Sequence, residues 1–471
     1  MKYSLRRKPL PFGQPLDIAV LITSAVVLTL IGLLLWQGDR TSPQVIRFSW
    51  EQKQVTASDL AFQLTFNRPM DQQSVEQNLK ITPPLPGRKS WAGRTMAYTL
   101  NRPIPYGVNY QIELKNAYDR FANEVDNHRP IAPFQSQFRS PDPAFLYIGA
   151  TGVEKHRLVL VTANQAQILT PPDLAVIDYR VYPDRQKLLV GAAPYDQDQV
   201  NLLEQQLYTL DLNQAQPQLK LLLDHKEYQN FRFDLAANGQ TIVVQRLSRS
   251  QTGQYSLWAI EPGEPPRSLE NKPGGDFMIT PDSAAVAIAQ GEGVAILPLV
   301  PQADPLDFLP KFGLVLGFNR NGTEAAMVKF NKDYTRSLFF VTNQGIEREL
   351  LRISGSILQG IFAPQQPLIY ALLTDADLKA TLFREQPYLA AIEVNSGKVT
   401  RLLDLADQKQ IQLNLSPDGR KMLISSLAAT QIPNQPKPLP QLFEVTIPDQ
   451  LGDTLQVTSL ERQGKYPQWL P

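Results

Sequence analysis

The chain has 471 residues, enough for two or more folded units with sizeable cores. Its 46 Lys+Arg balance 45 Asp+Glu to a net charge of +1, which argues against a nucleic-acid binder, because such surfaces carry a basic excess. Cys is 0, which removes disulfides, thiolate chemistry and Cys-ligated metals together.

The first element is apolar. Residues 18–36, Ile18 to Trp36, carry no charge over a length close to the about 20 residues a helix needs to cross a bilayer. Lys2, Arg6, Arg7 and Lys8 precede the run, while Asp39 and Arg40 nearly cancel after it, so the positive-inside rule predicts a cytoplasmic N-terminus, residues 1–17. The competing reading is a cleaved signal peptide. The run outlasts the usual apolar core of such a peptide and Leu-Leu-Leu-Trp-Gln-Gly-Asp-Arg offers no small-x-small site, so an uncleaved transmembrane signal-anchor helix is expected. Everything after it is then extracytoplasmic, in the periplasm or an equivalent compartment.

Residues 41–139 alternate apolar and polar side chains in short runs separated by turn residues. Val45 to Phe48, Leu60 to Phe66, Met96 to Leu100, Tyr110 to Leu114 and Phe134 to Phe138 read as strands of a small β-sandwich. Three elements are more particular: Phe66-Asn-Arg-Pro-Met-Asp71, then Leu79-Lys-Ile-Thr-Pro83, then Leu100-Asn-Arg-Pro-Ile-Pro-Tyr106-Gly-Val-Asn-Tyr110. In this order they resemble the bacterial Ig-like domain of S-layer and envelope proteins. The resemblance implies a spacer or adhesive module. Asp71 and Asp119 are isolated carboxylates, which are more often turn caps than calcium ligands.

From residue 140 onward one pattern recurs, a strand, a tight turn and a second strand. The turns are Tyr182-Pro-Asp184, Ala237-Asn-Gly239, Thr280-Pro-Asp282, Arg320-Asn-Gly322, Ala363-Pro-Gln365 and Ser416-Pro-Asp-Gly419. Aligned at residues 184, 238, 282, 321, 365 and 418, their spacings of 54, 44, 39, 44 and 53 residues, each holding four short strands, predict a β-propeller. In the fullest unit the strands are Ile411 to Leu415, Lys421 to Ser425, Leu442 to Thr446 and Leu455 to Leu460. A further unit is split: Ser140-Pro-Asp142 precedes three strands that begin at Phe145, and Tyr466 to Leu470 supplies the missing one. Closing the ring with this C-terminal strand leaves no open edge. The expected fold is all-β: a seven-bladed β-propeller over residues 140–471, preceded by an Ig-like β-sandwich and the N-terminal transmembrane helix. The repeat resembles the TolB-like and WD40-like propellers of bacterial envelopes. Only the unit at Ser416 keeps all four turn residues, so the resemblance implies the fold and not a family function.

Catalytic signatures are sparse. His128, His156 and His225 are the only histidines and are not at ligand spacing, and there is no phosphate loop. The sequence therefore predicts no enzyme, no cofactor and no metal. The loops say more. In each unit the turn between strands one and two lies on one face of the ring, the turn face, and the loop between strands two and three lies on the other, the loop face. Three loop-face insertions are long, 193–206, 374–387 and 428–441, and ring closure makes them near neighbours. They predict a partner-binding surface carrying Tyr195, Leu202, Leu382, Phe383, Ile432 and Pro438. The expected function is a non-catalytic, membrane-anchored scaffold that presents its propeller to an envelope protein. The alternative is glycan or peptidoglycan binding through the central funnel, for which Arg180, Arg232 and Asp234 would have to converge on inner strands.

Overall fold

The computed structural model describes residues 15–37, 41–120 and 130–471, apart from 164, 198, 215, 252, 254, 270–273, 292, 302, 304–306, 365, 377–384, 429–437 and 449. Apart from two helices and two short 3-10 turns, its regular elements are strands. The N-terminal helix, Pro15–Gln37, has 23 residues. Among the described residues no helix is long and apolar enough to cross a membrane, and in this helix the side chains described are those of 18–33.

Residues 45–139 form two antiparallel sheets over a shared core. One orders its strands 45–48, 61–66, 95–100, 87–92, and the other 79–82, 109–114, 134–139. The alternating residues Phe62, Leu64 and Phe66 point inward with Met96, Tyr98, Ile112 and Leu114, and Trp50 packs its ring 5.2 Å from both Phe62 and Phe138. Strand-like alternation thus finds its buried face. The short helix Gln72–Asn78 was not expected from the sequence. Its signal is Asp71, whose carboxylate accepts the Ser74 N–H at 2.7 Å as an N-cap. Asp119 pairs with Arg68 at 3.2 Å. Both carboxylates therefore have structural partners.

The remainder is a β-propeller. Four antiparallel sheets of four strands span 228–268, 277–309, 314–353 and 357–404, and a five-stranded one spans 174–223. The last sheet has seven strands in the order 166–168, 158–161, 145–149, 456–469, 441–446, 421–428, 408–415. Its central strand, Gln456–Trp469, joins two units: Gln456 to Ser459 pair with Phe443 to Thr446, whereas Gly464 to Trp469 pair with Phe145 to Gly149. The C-terminus thereby closes the ring against the first strands of the repeat region. Sheets pack face to face through apolar side chains, such as Leu372 and Leu389 of one against Leu413 and Met422 of the next.

The turn chemistry explains why the repeat tolerates so much variation. In the Ser416 turn the Gly419 N–H donates to the Ser416 carbonyl at 2.8 Å. The Ser416 hydroxyl donates to Asp418 at 2.6 Å and accepts the Lys421 N–H at 2.9 Å. Gly419 takes φ +74°. The same left-handed position is held by Arg185, Gly239, Ser283 and Gly322, so the geometry persists where the glycine does not. Ser140-Pro-Asp142 is the exception. It is no strand-to-strand turn, because the chain enters there from the sandwich and the Pro141 carbonyl accepts the Gly107 N–H at 2.9 Å.

The sandwich docks on the turn face. Tyr106 lies under the Arg185 guanidinium at 5.5 Å, and its hydroxyl reaches the Leu470 carbonyl at 3.5 Å. Burial raises the Tyr106 phenol well above its usual pKa; Arg185 and Arg320 oppose the shift and Asp418 adds to it. These three charges come from three separate turns, which places Tyr106 at the centre of that face. A groove beside it is lined by Ser58 and Leu60 of the sandwich and by turn residues Arg320, Pro364 and Pro417.

Candidate functional site

Away from the turn face where the sandwich docks, the sequence singles out two features that a ligand or partner could use: the central channel and the loop face. The channel is lined by the first strand of each unit, and three of its charged residues come from the 174–181 and 228–235 strands. Arg180 lies 2.8 Å from Asp178 and 3.2 Å from Asp234, and Asp234 also accepts the Ile279 N–H of the following sheet at 3.0 Å. Burial disfavours the Arg180 charge, but the two carboxylates outweigh it and its pKa is raised. Arg232 pairs with Asp276, beside a cavity of about 220 Å³ walled by Phe277, Leu314 and Leu358. Arg180 and Asp234 thus meet across neighbouring sheets, while Arg232 reaches to a third.

The same device recurs around the ring. Gln359 exchanges hydrogen bonds with the Leu413 backbone at 2.8 and 3.1 Å, Gln412 accepts the Tyr466 N–H at 2.6 Å, and Asn414 accepts the Trp469 N–H at 2.8 Å. The Tyr179 hydroxyl lies 2.6 Å from the Tyr466 carbonyl and 2.9 Å from that of Leu146. Inner-strand polar groups therefore stitch each repeat unit to the next. A side chain held in such a tie is not free to hydrogen-bond a ligand without loosening the ring.

On the loop face, the second strand of the 174–223 sheet runs on to Asp196 and folds back so that Tyr195 pairs with Val200. Tyr195 is half-buried, with its ring 5.0 Å from that of His156 in the neighbouring 150–157 loop. Leu202 opens a 3-10 turn, Leu202–Glu204, and is 57% exposed, as is Leu203. Arg249 from the next sheet donates to the Leu203 carbonyl and, at 2.7 Å, to that of His225. Pro438 is half-buried beside exposed Leu439. Leu382, Phe383 and Ile432 lie outside the described residues, as does His128.

Most of the 374–387 and 428–441 insertions, residues 377–384 and 429–437, lies outside the described residues. The 193–206 insertion meets the 150–157 loop, where the Tyr195 and His156 rings touch, and the next sheet, where Arg249 donates to the Leu203 carbonyl. The 150–157 loop is the part of the surface that sequence reasoning missed; its Val153 is 78% exposed. Its signal was weak, because the unit's first strand comes from the far end of the chain and leaves the loop without a repeat to align on. Just below it, the Tyr147 hydroxyl donates to Glu154 at 2.6 Å and accepts from Arg462 at 3.2 Å, a tie across the ring seam. Burial and Glu154 push the Tyr147 phenol up to about 12. The half-buried His225 has its Nδ1 2.6 Å from the Gln206 amide.

The sequence matches no family model and no curated protein. Among solved structures it is similar to TolB from Acinetobacter baumannii, at 11% identity over 78% of this chain and 81% of that one, with a TM-score of 0.41. It is similar to a putative TolB from Agrobacterium tumefaciens at 12% identity over 70% and 98%, with a TM-score of 0.37. It is also similar to a puromycin hydrolase at 11% identity over 70% and 58%, with a TM-score of 0.39. Likeness at this level assigns no activity, substrate or partner. It does correct one expectation. The sequence predicts that the chain is not an enzyme, yet a hydrolase stands among the structures it is similar to, so the architecture leaves catalysis open.

Proposed function

We propose that this chain is a membrane-tethered protein of the cell envelope, in which an Ig-like sandwich holds a seven-bladed propeller outside the membrane with its loop face toward a protein partner. The observation that carries this reading is the docking of the sandwich, through Tyr106, on the turn face. The unit nearest the tether covers one side of the ring, and the side left open is the one bearing exposed Val153, Leu202, Leu203 and Leu439. Exposed apolar side chains clustered on one face mark interaction surfaces. The funnel alternative has less to draw on, since its charged groups are paired with one another.

The tether rests on the N-terminal helix. Ile18, Val20, Leu21 and Leu30 lie bare on different sides of it, as on a helix meant for an apolar surround. Thr23 and Thr29 donate their hydroxyls to the carbonyls of Ala19 and Ala25 at 2.8 and 2.7 Å, which leaves no dangling donor there. The chain has no cysteine of its own, so orientation can be read from introduced ones. Ser42→Cys is expected to react with an impermeant maleimide on intact cells, and Ser4→Cys only after permeabilisation. The reverse pattern would invert the proposed topology.

For the partner surface, Leu202→Asp combined with Leu203→Asp is expected to abolish capture of the protein that co-purifies with the detergent-solubilised chain while leaving its melting temperature unchanged. Retained capture would remove the loop-face reading.

A further inference from the structure

A groove of about 810 Å³ opens on the loop face between sheets 277–309 and 314–353, away from the leucine patch. Four cations line it, Lys311, Lys329, Lys332 and Arg352, against a single acid, Asp333. Arg352 takes that acid at 2.6 Å, and Lys311 pairs with Glu347 at the rim. Lys329 and Lys332 make no ion pair among the described residues. Of the nearby rings, Phe330 lines the groove and is 60% exposed, while Tyr334, at the tip of the hairpin next to Asp333, is 90% exposed.

Neither ring is there for the core. Tyr334 sits at φ +65° at the tip of the 331–335 hairpin, a left-handed conformation that is strained for a bulky residue and that no packing repays. The hairpin itself is tightly held. Asn331 donates its N–H to the Thr335 carbonyl at 2.9 Å and its amide to Ser337 at 2.8 Å, and Arg352 donates to the Thr335 hydroxyl at 2.8 Å. The Phe330 ring lies over Gly313, where a Cβ would come within 2.5 Å of it. Cations and ring faces are therefore presented on a rigid frame, which spares a ligand the entropy of ordering them.

We propose that this groove binds an anionic oligosaccharide whose sugar rings stack on Phe330 and Tyr334 while their carboxylates meet Lys329 and Lys332. The volume falls in the range of about 300–1,000 Å³ usual for small-ligand sites. A lysine ammonium serves a carboxylate as a mobile point charge and suits units whose spacing varies along a flexible glycan. A bilayer would call for a protruding rim instead of a concavity. A peptide added as a strand would draw on edge main chain, whereas most of the lining comes from hairpin tips and a connector.

The test uses the full chain in detergent, titrated calorimetrically at low salt with alginate hexasaccharide, neutral maltohexaose and hexaglutamate. Alginate is expected to bind and the other two not. Lys329→Gln with Lys332→Gln is expected to weaken alginate about tenfold or more, as loss of two charge contacts at about 1 kcal/mol each would. Tyr334→Gly is expected to weaken it too while leaving the melting temperature equal or higher, because glycine relieves the positive φ; a merely structural tyrosine would instead give a lower melting temperature with the affinity of the folded chain unchanged. Absent alginate binding, equal binding of hexaglutamate or maltohexaose, or unchanged affinity in the double variant would each overturn the proposal. None of these outcomes depends on the tether or on the leucine patch.

Discussion

Deleting residues 464–471 is expected to unfold the propeller, not merely to trim it. These residues form the second half of the strand Gln456–Trp469, and their loss bares Phe145, Leu146, Tyr147 and Ile148, all of which are buried in the intact ring. It also strands groups that have no other use: Gln412 and Asn414 lose the Tyr466 and Trp469 N–H donors, and Ser425 loses the Gly464 carbonyl. Truncating one large buried side chain such as Trp469 costs about 3–5 kcal/mol, and removing Leu470 and the ladder bonds adds to it. The total, roughly 10 kcal/mol, rivals the whole stability of about 5–15 kcal/mol typical of a folded domain. Circular dichroism should show the propeller's cooperative melt lost above room temperature, with only that of the sandwich remaining, and limited proteolysis should digest residues 140–463. Trp469→Ala alone should lower stability by about 3–5 kcal/mol with the ring still closed. A deletion variant that melts sharply within a few degrees of the full chain would show that closure does not hold the ring.

Tyr106→Ala is expected to uncouple the sandwich from the propeller. The side chain is half-buried, so the cost should be about 1–3 kcal/mol, drawn from lost ring contact with Arg185 and from desolvated turn charges left without it. The sharper sign is a single unfolding transition splitting into two in calorimetry. Tyr106→Phe separates packing from titration. Burial raises the folded-state pKa of this phenol above its usual 10.0, so its contribution is complete below pH 10 and is lost as pH climbs through 10 toward the folded value. Wild-type docking should therefore weaken between pH 9.5 and 11 (about one unit around that usual value), and the Phe variant should weaken less. Equal alkaline slopes would place the titration on other buried tyrosines, such as Tyr179.

Much of the architecture was legible because a turn needs little beyond one left-handed residue and a side chain that caps it. Pro, Asp and Gly at intervals of 39 to 54 residues announced the propeller even where single positions had drifted. Residues such as Arg185 and Ser283 carry the turn dihedral without looking like turn formers, which is why those units appeared degenerate. The candidate surface was less legible. Tyr195 and Leu202 fall on the loop face, but their neighbours are His156 and Arg249, brought in from adjacent sheets by ring curvature that no local pattern encodes.

Local chemistry was enough to determine the all-β character, the repeat and the place of Tyr466 to Leu470 beside Phe145, since alternation, turn propensity and an unpaired strand are properties of short stretches. Tertiary structure alone decided which polar groups are spent and which remain free. Arg180 and Asp234 read as candidate ligand-binding groups until the ring pairs them across neighbouring sheets and ties Asp234 to the Ile279 N–H. Lys329 and Lys332 lie in a short hairpin, and only the ring sets them in a groove whose one lining acid, Asp333, is taken by Arg352. The reason is physical: hydrogen bonds and ion pairs act over a few ångströms, and what lies within that distance is set by packing between units more than 40 residues apart.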